Sequence, residues 1–204
     1  YKYMDNTQVK MYGEPGPDGK WIKGIEDYLP NTQYLTAEHK QTVIEDIKEN
    51  WLTLSHNGKF HAIFATSSIP EAIEYYRMMK ITMPELKTSC LFDPNIDNNG
   101  GHLQEDGLVE IIEDYNKRYG QDFTIPTHAR FKKDLSLRLA HKEQYKRIER
   151  TPDQQLDLLI VVDQMLTGFD SKWVNTLYMD KMLEYENIIQ AFSRTNRLFG
   201  PDKP

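Results

Sequence analysis

Leu156-Asp157-Leu158-Leu159-Ile160-Val161-Val162 is the stretch that decides the fold. An apolar run this short and this continuous suits a strand covered on both faces, as in a parallel sheet. Downstream come Asp163-Gln164-Met165-Leu166 and Thr167-Gly168-Phe169-Asp170, then a second strand-like run from Val174 to Met179, closed by Asp180 and Lys181. Upstream, His56-Asn57-Gly58 predicts a turn into a strand over 60–65, and a further strand is expected over 88–92. Thr36 is positioned to cap a helix to about Leu54, with Val43, Ile44, Ile47 and Trp51 as its apolar stripe. Ser68 can cap a helix from Pro70 that carries Ile73, Tyr76 and Met79. A helix over 105–119 stops at Gly120, and another helical stretch is expected over about 128–149. Strands alternating with helices predict an α/β fold built on a parallel sheet, flanked by helices and carrying a helical insertion at about 105–150.

The residues after the second strand carry the chemistry. Gln190-Ala191-Phe192-Ser193-Arg194-Thr195-Asn196-Arg197 reads as a helix with Gln190, Ser193, Arg194 and Arg197 in one polar arc. A planar guanidinium stays charged and grips phosphate through two parallel bonds, so two on one helix edge suit a phosphate ligand. A merely solvated helix face mixes signs, whereas residues 188–200 contain no Glu, Asp or Lys. In Thr167-Gly168-Phe169-Asp170 the glycine permits close backbone approach and Asp170 can accept hydrogen bonds from a sugar hydroxyl. Thr66 and Ser67 end the 60–65 strand, where hydroxyls and free N–H groups could meet a DNA phosphate, although a plain helix cap explains them as well.

The chain has 204 residues and a net charge of −6, which opposes long-range steering of the whole molecule to nucleic acid. The charge is uneven. Residues 117–150 hold ten Lys and Arg against four acids, a local balance of +6 that leaves −12 elsewhere. Lys132, Lys133 and Arg138 are the candidates there for duplex-backbone contact, since clustered cations neutralise phosphates and release counterions. A solvated helix face is the plain alternative. His128 and His141, in the same run, read as surface residues rather than metal ligands. Cys90 is alone, so neither an internal disulfide nor a multi-cysteine zinc site is possible. No stretch approaches 18 apolar residues and no secretory signal pattern appears, so no membrane is expected and a cytoplasmic compartment is the default. A chain opening on Tyr1 and stopping at Pro204 reads as cut from a longer protein. Residues 1–35 are turn-rich and read as a linker or an extension from a preceding domain, ahead of one domain over 36–204. Gly13 to Lys20 only imitates a phosphate-binding loop, because Trp21 stands where Ser or Thr is required.

Leu-Thr-Gly-Phe-Asp (166–170), Asn-Thr-Leu-Tyr-Met-Asp-Lys (175–181) and the 190–197 block resemble the motor (R) subunit of type I restriction endonucleases, and so does Phe60 to Ser68. In superfamily 2 helicase terms these blocks are similar to motifs IV, V and VI, with Ser193 where that family usually has Gly. The resemblance implies the second RecA-like (P-loop NTPase-type) domain of an ATP-dependent DNA translocase, itself part of a restriction nuclease. It implies Arg197 as the arginine finger, Arg194 as a second phosphate contact and Gln190 as the residue orienting them or the attacking water. Gly168 and Asp170 would meet the nucleotide, with Gln164 and Thr167 linking that contact to DNA. ATP and Mg²⁺ would be bound mainly by the first RecA-like domain, absent here, so the isolated chain is expected to be inactive. Double-stranded DNA, the nuclease domain of the same subunit, and methylation and specificity subunits are the implied partners. Another superfamily 2 helicase is the alternative within the class. A metal-dependent nuclease, built from Pro152-Asp153 and Asp170-Ser171-Lys172, is the alternative outside it.

Overall fold

The computed structural model describes residues 13–24, 35–93, 101–162 and 171–180. The chain divides into two compact units, 1–43 and 44–204. In the first, β1 (Glu14–Pro15) and β2 (Trp21–Ile22) pair antiparallel across a turn in which Gly16 N donates to the Lys20 carbonyl at 2.6 Å. Helix α1 (Ala37–Leu54) is opened by Thr36, whose hydroxyl accepts the His39 N–H at 3.2 Å. Its later turns bury Ile44, Ile47 and Trp51, as the apolar stripe predicts.

The second unit is built on four parallel strands in the order β4–β5–β3–β6: β3 (His61–Thr66), β4 (Thr88–Leu91), β5 (Leu158–Val162) and β6 (Val174–Asp180). Helices α2 (Ile69–Thr82), α3 (Gly101–Tyr119) and α4 (His128–Ala140) flank it. Every residue of β3 and β5 is buried, as the apolar run of β5 and the apolar centre of β3 between His61 and Thr66 require. The register between β3 and β6 slips after His61, so that His61 faces Val174 while Ala62 faces Thr176. Asn175 falls in the gap, and its amide donates to the Leu54 carbonyl at 2.7 Å, satisfying an orphan acceptor at the end of α1.

The helical stretch expected over 128–149 ends early, at Ala140. His141 takes the left-handed conformation (φ 51°), and its N–H and that of Lys142 fold back on Arg138 and Leu137 carbonyls. Short 3₁₀ turns at Glu143–Tyr145, Ile148–Arg150 and Pro152–Gln154 then carry the chain to β5. Tertiary contacts of the His141 ring, described below, win over local helical pattern here. In the other direction, α3 starts at Gly101, four residues before the expected 105.

Helices α2 and α3 approach closely because Gly107 has no side chain. A Cβ there would lie 2.5 Å from Ile73 Cδ1. Polar bonds flank this contact: Tyr76 donates to Asp114 at 2.8 Å, and Arg77 pairs with Glu110 at 2.8 Å. Gly107→Val should therefore destabilise the domain by about 1–3 kcal/mol through overpacking. Urea unfolding should show Gly107→Val combined with Ile73→Ala to be less damaging than the two single effects added together. Strict additivity would mean that the two side chains do not meet.

Candidate functional site

Three strands end side by side at the carboxyl rim of the sheet, since Thr66 is opposite both Val162 of β5 and Asp180 of β6. Ligands of open α/β sheets bind at this kind of edge. Thr66 itself is fully buried, and its hydroxyl lies 3.3 Å from the Val161 carbonyl that accepts it. It supports the sheet and does not face a ligand. Ser67 is exposed, yet its N–H already donates to the Glu71 carboxylate at 3.1 Å and its hydroxyl to the Asp180 carbonyl at 3.4 Å. Ser68 caps α2 by accepting the Glu71 N–H at 3.4 Å, with Pro70 in the first turn. A phosphate arriving at the Ser67 N–H would have to displace the Glu71 carboxylate. Tyr75, on the next turn of α2, packs edge-on against Phe64 and donates its hydroxyl to the Asp180 carboxylate. Burial, then the Asp180 contact, drives the Tyr75 pKa far above the phenol range, so it remains a donor.

The amino ends of the strands hold a different set of groups. Arg138, expected among the DNA contacts, is an interior residue with 1% exposure. Its Nε donates to Tyr115 Oη at 2.9 Å, Nη1 to the Gln154 carbonyl at 2.6 Å, and Nη2 to Tyr145 Oη at 2.8 Å, with Asp134 3.4 Å away. The guanidinium also lies over the Tyr119 ring, 3.8 Å from its centroid. Burial opposes its charge, but Tyr115, Tyr145 and Asp134 outweigh that and raise its pKa. Lys132 and Lys133, on the opposite side of α4, are exposed as expected. The cationic surface of 117–150 therefore excludes Arg138 and Asp134.

His141 is likewise buried, contrary to its surface reading. Its ring stacks on Trp173 at 4.0 Å and 20°, and its Nε2 lies 2.7 Å from His61 Nε2. At that distance one imidazole donates and the other accepts, so the pair cannot hold two Nε2 protons. His61 Nδ1 has no hydrogen-bond partner, and a proton there would be buried without an acceptor. Burial lowers the His61 pKa to about 3, helped by His141 and Lys87. Burial lowers His141 to about 4 against the opposing pull of Glu149, whose carboxylate lies 3.7 Å from Nδ1. Next to this pair, Ser171 donates its hydroxyl to the Leu139 carbonyl at 3.4 Å, and the Trp173 carbonyl accepts the His61 N–H at 2.9 Å. No sequence pattern marks this cluster beyond its two histidines.

Gln164, Thr167, Gly168, Asp170, Gln190, Arg194 and Arg197 lie outside the described residues. Of the nuclease alternative, Asp153 is exposed in its 3₁₀ turn and Lys172 is exposed beside Trp173. Among the described residues no three His, Cys, Asp or Glu side chains group as a metal site, and no helix is long and apolar enough to cross a membrane.

Four parallel strands flanked by helices, with strand ends aligned at one rim, define a RecA-like α/β domain. More narrowly, the chain belongs to the family described as type I restriction enzyme subunit R domain 3, whose model matches residues 58–204. It is 34% identical over 181 residues to the endonuclease subunit of a type I restriction enzyme of Staphylococcus aureus strain COL, covering 84% of this chain and 18% of that subunit. It is 35% identical over 190 residues to another such subunit from Staphylococcus saprophyticus, covering 88% and 20%. A putative counterpart from Methanocaldococcus jannaschii is 38% identical over 170 residues, covering 83% and 13%. The chain thus spans a fifth or less of the length of these relatives.

Two measurements check this geometry. Arg138→Met should destabilise the domain by about 3–5 kcal/mol because the buried Asp134 carboxylate loses its only cationic partner among the described residues, whereas Lys132→Met should stay within about 0.5 kcal/mol. Chemical denaturation reads both, and equal small effects would return Arg138 to the surface. The histidine pair sets a pH dependence. The unfolded chain takes up protons near 6.5 while the folded pair resists them until about 4 and about 3, so stability should decline as pH falls below 6.5. The decline between pH 7 and 5, followed as a urea midpoint, should be shallower in His61→Gln, and an unaltered slope would contradict the assignment.

Proposed function

We propose that this chain is the second RecA-like lobe of the ATP-driven DNA-translocating subunit of a cytoplasmic type I restriction enzyme. Membership of the R-subunit family supports the reading. One geometric observation supports it: Thr66, Val162 and Asp180 stand abreast, so the stretches that resemble motifs IV, V and VI end or follow strands that finish at one rim. ATP would bind between this lobe and the first RecA-like lobe, which would supply the phosphate-loop lysine and the carboxylates that hold Mg²⁺. From this side Arg197 would meet the γ-phosphate and Arg194 a neighbouring oxygen, placing fixed positive charge where it develops during transfer. Gln190 would orient one of these groups or the attacking water. Gly168 and Asp170 would contact the nucleotide, and Gln164 and Thr167 would relay that contact to duplex DNA.

Lys132 and Lys133 would meet the duplex backbone, where phosphate contacts position without reading sequence. Ser67 would join them only if its N–H exchanged the Glu71 carboxylate for a phosphate. Sequence choice, modification and cleavage would fall to the specificity and methylation subunits and to a nuclease domain elsewhere in the same subunit. The relatives' description as endonuclease subunits accords with that division.

Arg197→Ala in the intact subunit should lower ATP turnover by about 10³-fold or more, with ATP affinity changed far less. Single-turnover hydrolysis on duplex DNA reads this. Near-normal turnover in that variant would remove Arg197 from the reaction.

A further inference from the structure

We infer that His141 is a positioning residue that couples the basic helix α4 to the chain entering β6, so that a duplex held on α4 alters nucleotide turnover. This rests on the motor reading above. Helix α4 shows two opposed faces. Its outer arc exposes Arg130, Lys132 and Lys133, while Phe131, Leu135, Arg138 and Leu139 are buried. Its C-terminal turn is tied to the strand entries. Arg138 grips the Gln154 carbonyl, just ahead of β5. Leu139 accepts from Ser171, and the His141 ring stacks on Trp173, just ahead of β6. The same ring bonds His61, the first residue of β3.

His141 thereby links the entries of two neighbouring strands to one helix end. In sequence, Ser171 directly follows Asp170, the last residue of the proposed nucleotide-contacting segment. A helix is stiff, and α4 is about 20 Å long at 1.5 Å per residue. Displacing its outer arc must shift these strand entries or break the His141 stack.

The backbone of His141 is left-handed as well. A left-handed residue at a helix end is ordinarily Gly or Asn, which meet the backbone demand at least cost. This chain keeps a ring at φ 51° and engages it on both a stacking partner and a hydrogen-bonding partner. The ring thereby supplies a flat contact between α4 and Trp173.

The test uses the full-length subunit in its assembled enzyme. His141→Asn preserves the left-handed preference but removes the stack and the His61 bond. Trp173→Leu removes the stack from the other side, and Trp173→Phe retains a flat ring. Basal ATP hydrolysis, the KM for ATP and duplex affinity should stay within about twofold in all three. The ratio of duplex-stimulated to basal hydrolysis should fall about fivefold or more in His141→Asn and Trp173→Leu, and return towards wild type in Trp173→Phe. If His141→Asn does not fold, the two Trp173 variants decide the matter by the same ratio. Unchanged stimulation in variants lacking the stack would overturn this inference and leave the motor reading standing. A wild-type enzyme whose hydrolysis ignores DNA would overturn both.

Discussion

The buried guanidinium of Arg138 is the constraint from which the helical part of this domain follows. A charge removed from water is tolerated only when partners surround it, and this one has an acid, two phenols, a carbonyl and an aromatic face. Those partners come from α3, α4 and the 3₁₀ turns, so satisfying one side chain brings three segments of the chain together. Asp134 is held by the same demand. It accepts from Tyr115 and Tyr145, each at 2.6 Å, as well as facing Arg138. Tyr119 adds a bond to the Gln155 carbonyl at 2.8 Å, which fixes the approach to β5.

A similar logic operates at the start of β4 and β5. Lys87 and Asp157 pair at 2.8 Å, and each backbone N–H of the two residues also finds an acceptor on the other. Burial raises the Asp157 pKa while Lys87 pulls it down. The amino edge of the sheet therefore concentrates ionisable groups in internal pairs: Arg138 with Asp134, Lys87 with Asp157, and His61 with His141. The carboxyl edge carries Ser67, Glu71, Tyr75 and Asp180, of which Ser67 is exposed. Polar groups at one edge set the strands; those at the other border the rim.

The strands and the first two helices were legible because their signals are local. An apolar run marks β5, and Ser68 followed by Pro70 marks the start of α2. The end of α4 was hidden because nothing in the 128–149 sequence announces that one histidine will stack on a tryptophan 32 positions later. Arg138 was misread for a related reason. Lys132, Lys133 and Arg138 look alike in a basic run, and only helical phase separates them. Arg138 shares the buried arc with Phe131 and Leu135, whereas the two lysines lie outside it. The helix period could have raised this suspicion, but Tyr115 and Tyr145, the partners that make burial tolerable, come from other elements.

Moving Arg138 inward leaves the electrostatic argument intact. Arg138 and Asp134 leave the surface together, one charge of each sign, so the exposed residues of 117–150 retain nine cations against three acids. The patch now draws on the turns that follow α4, through Lys142, Lys146, Arg147 and Arg150, as well as on the helix. Its field acts over roughly a Debye length of about 8 Å at physiological salt, so it cannot gather a polyanion from afar against a chain of net −6. On the proposed reading, such a surface would hold a duplex that other parts have already brought near. On that reading the lobe would contribute position and timing, which calls for a rigid connection from its cations to its sheet. Arg138 in the final turn of α4 and His141 at its cap tie that end of the helix to the strand entries.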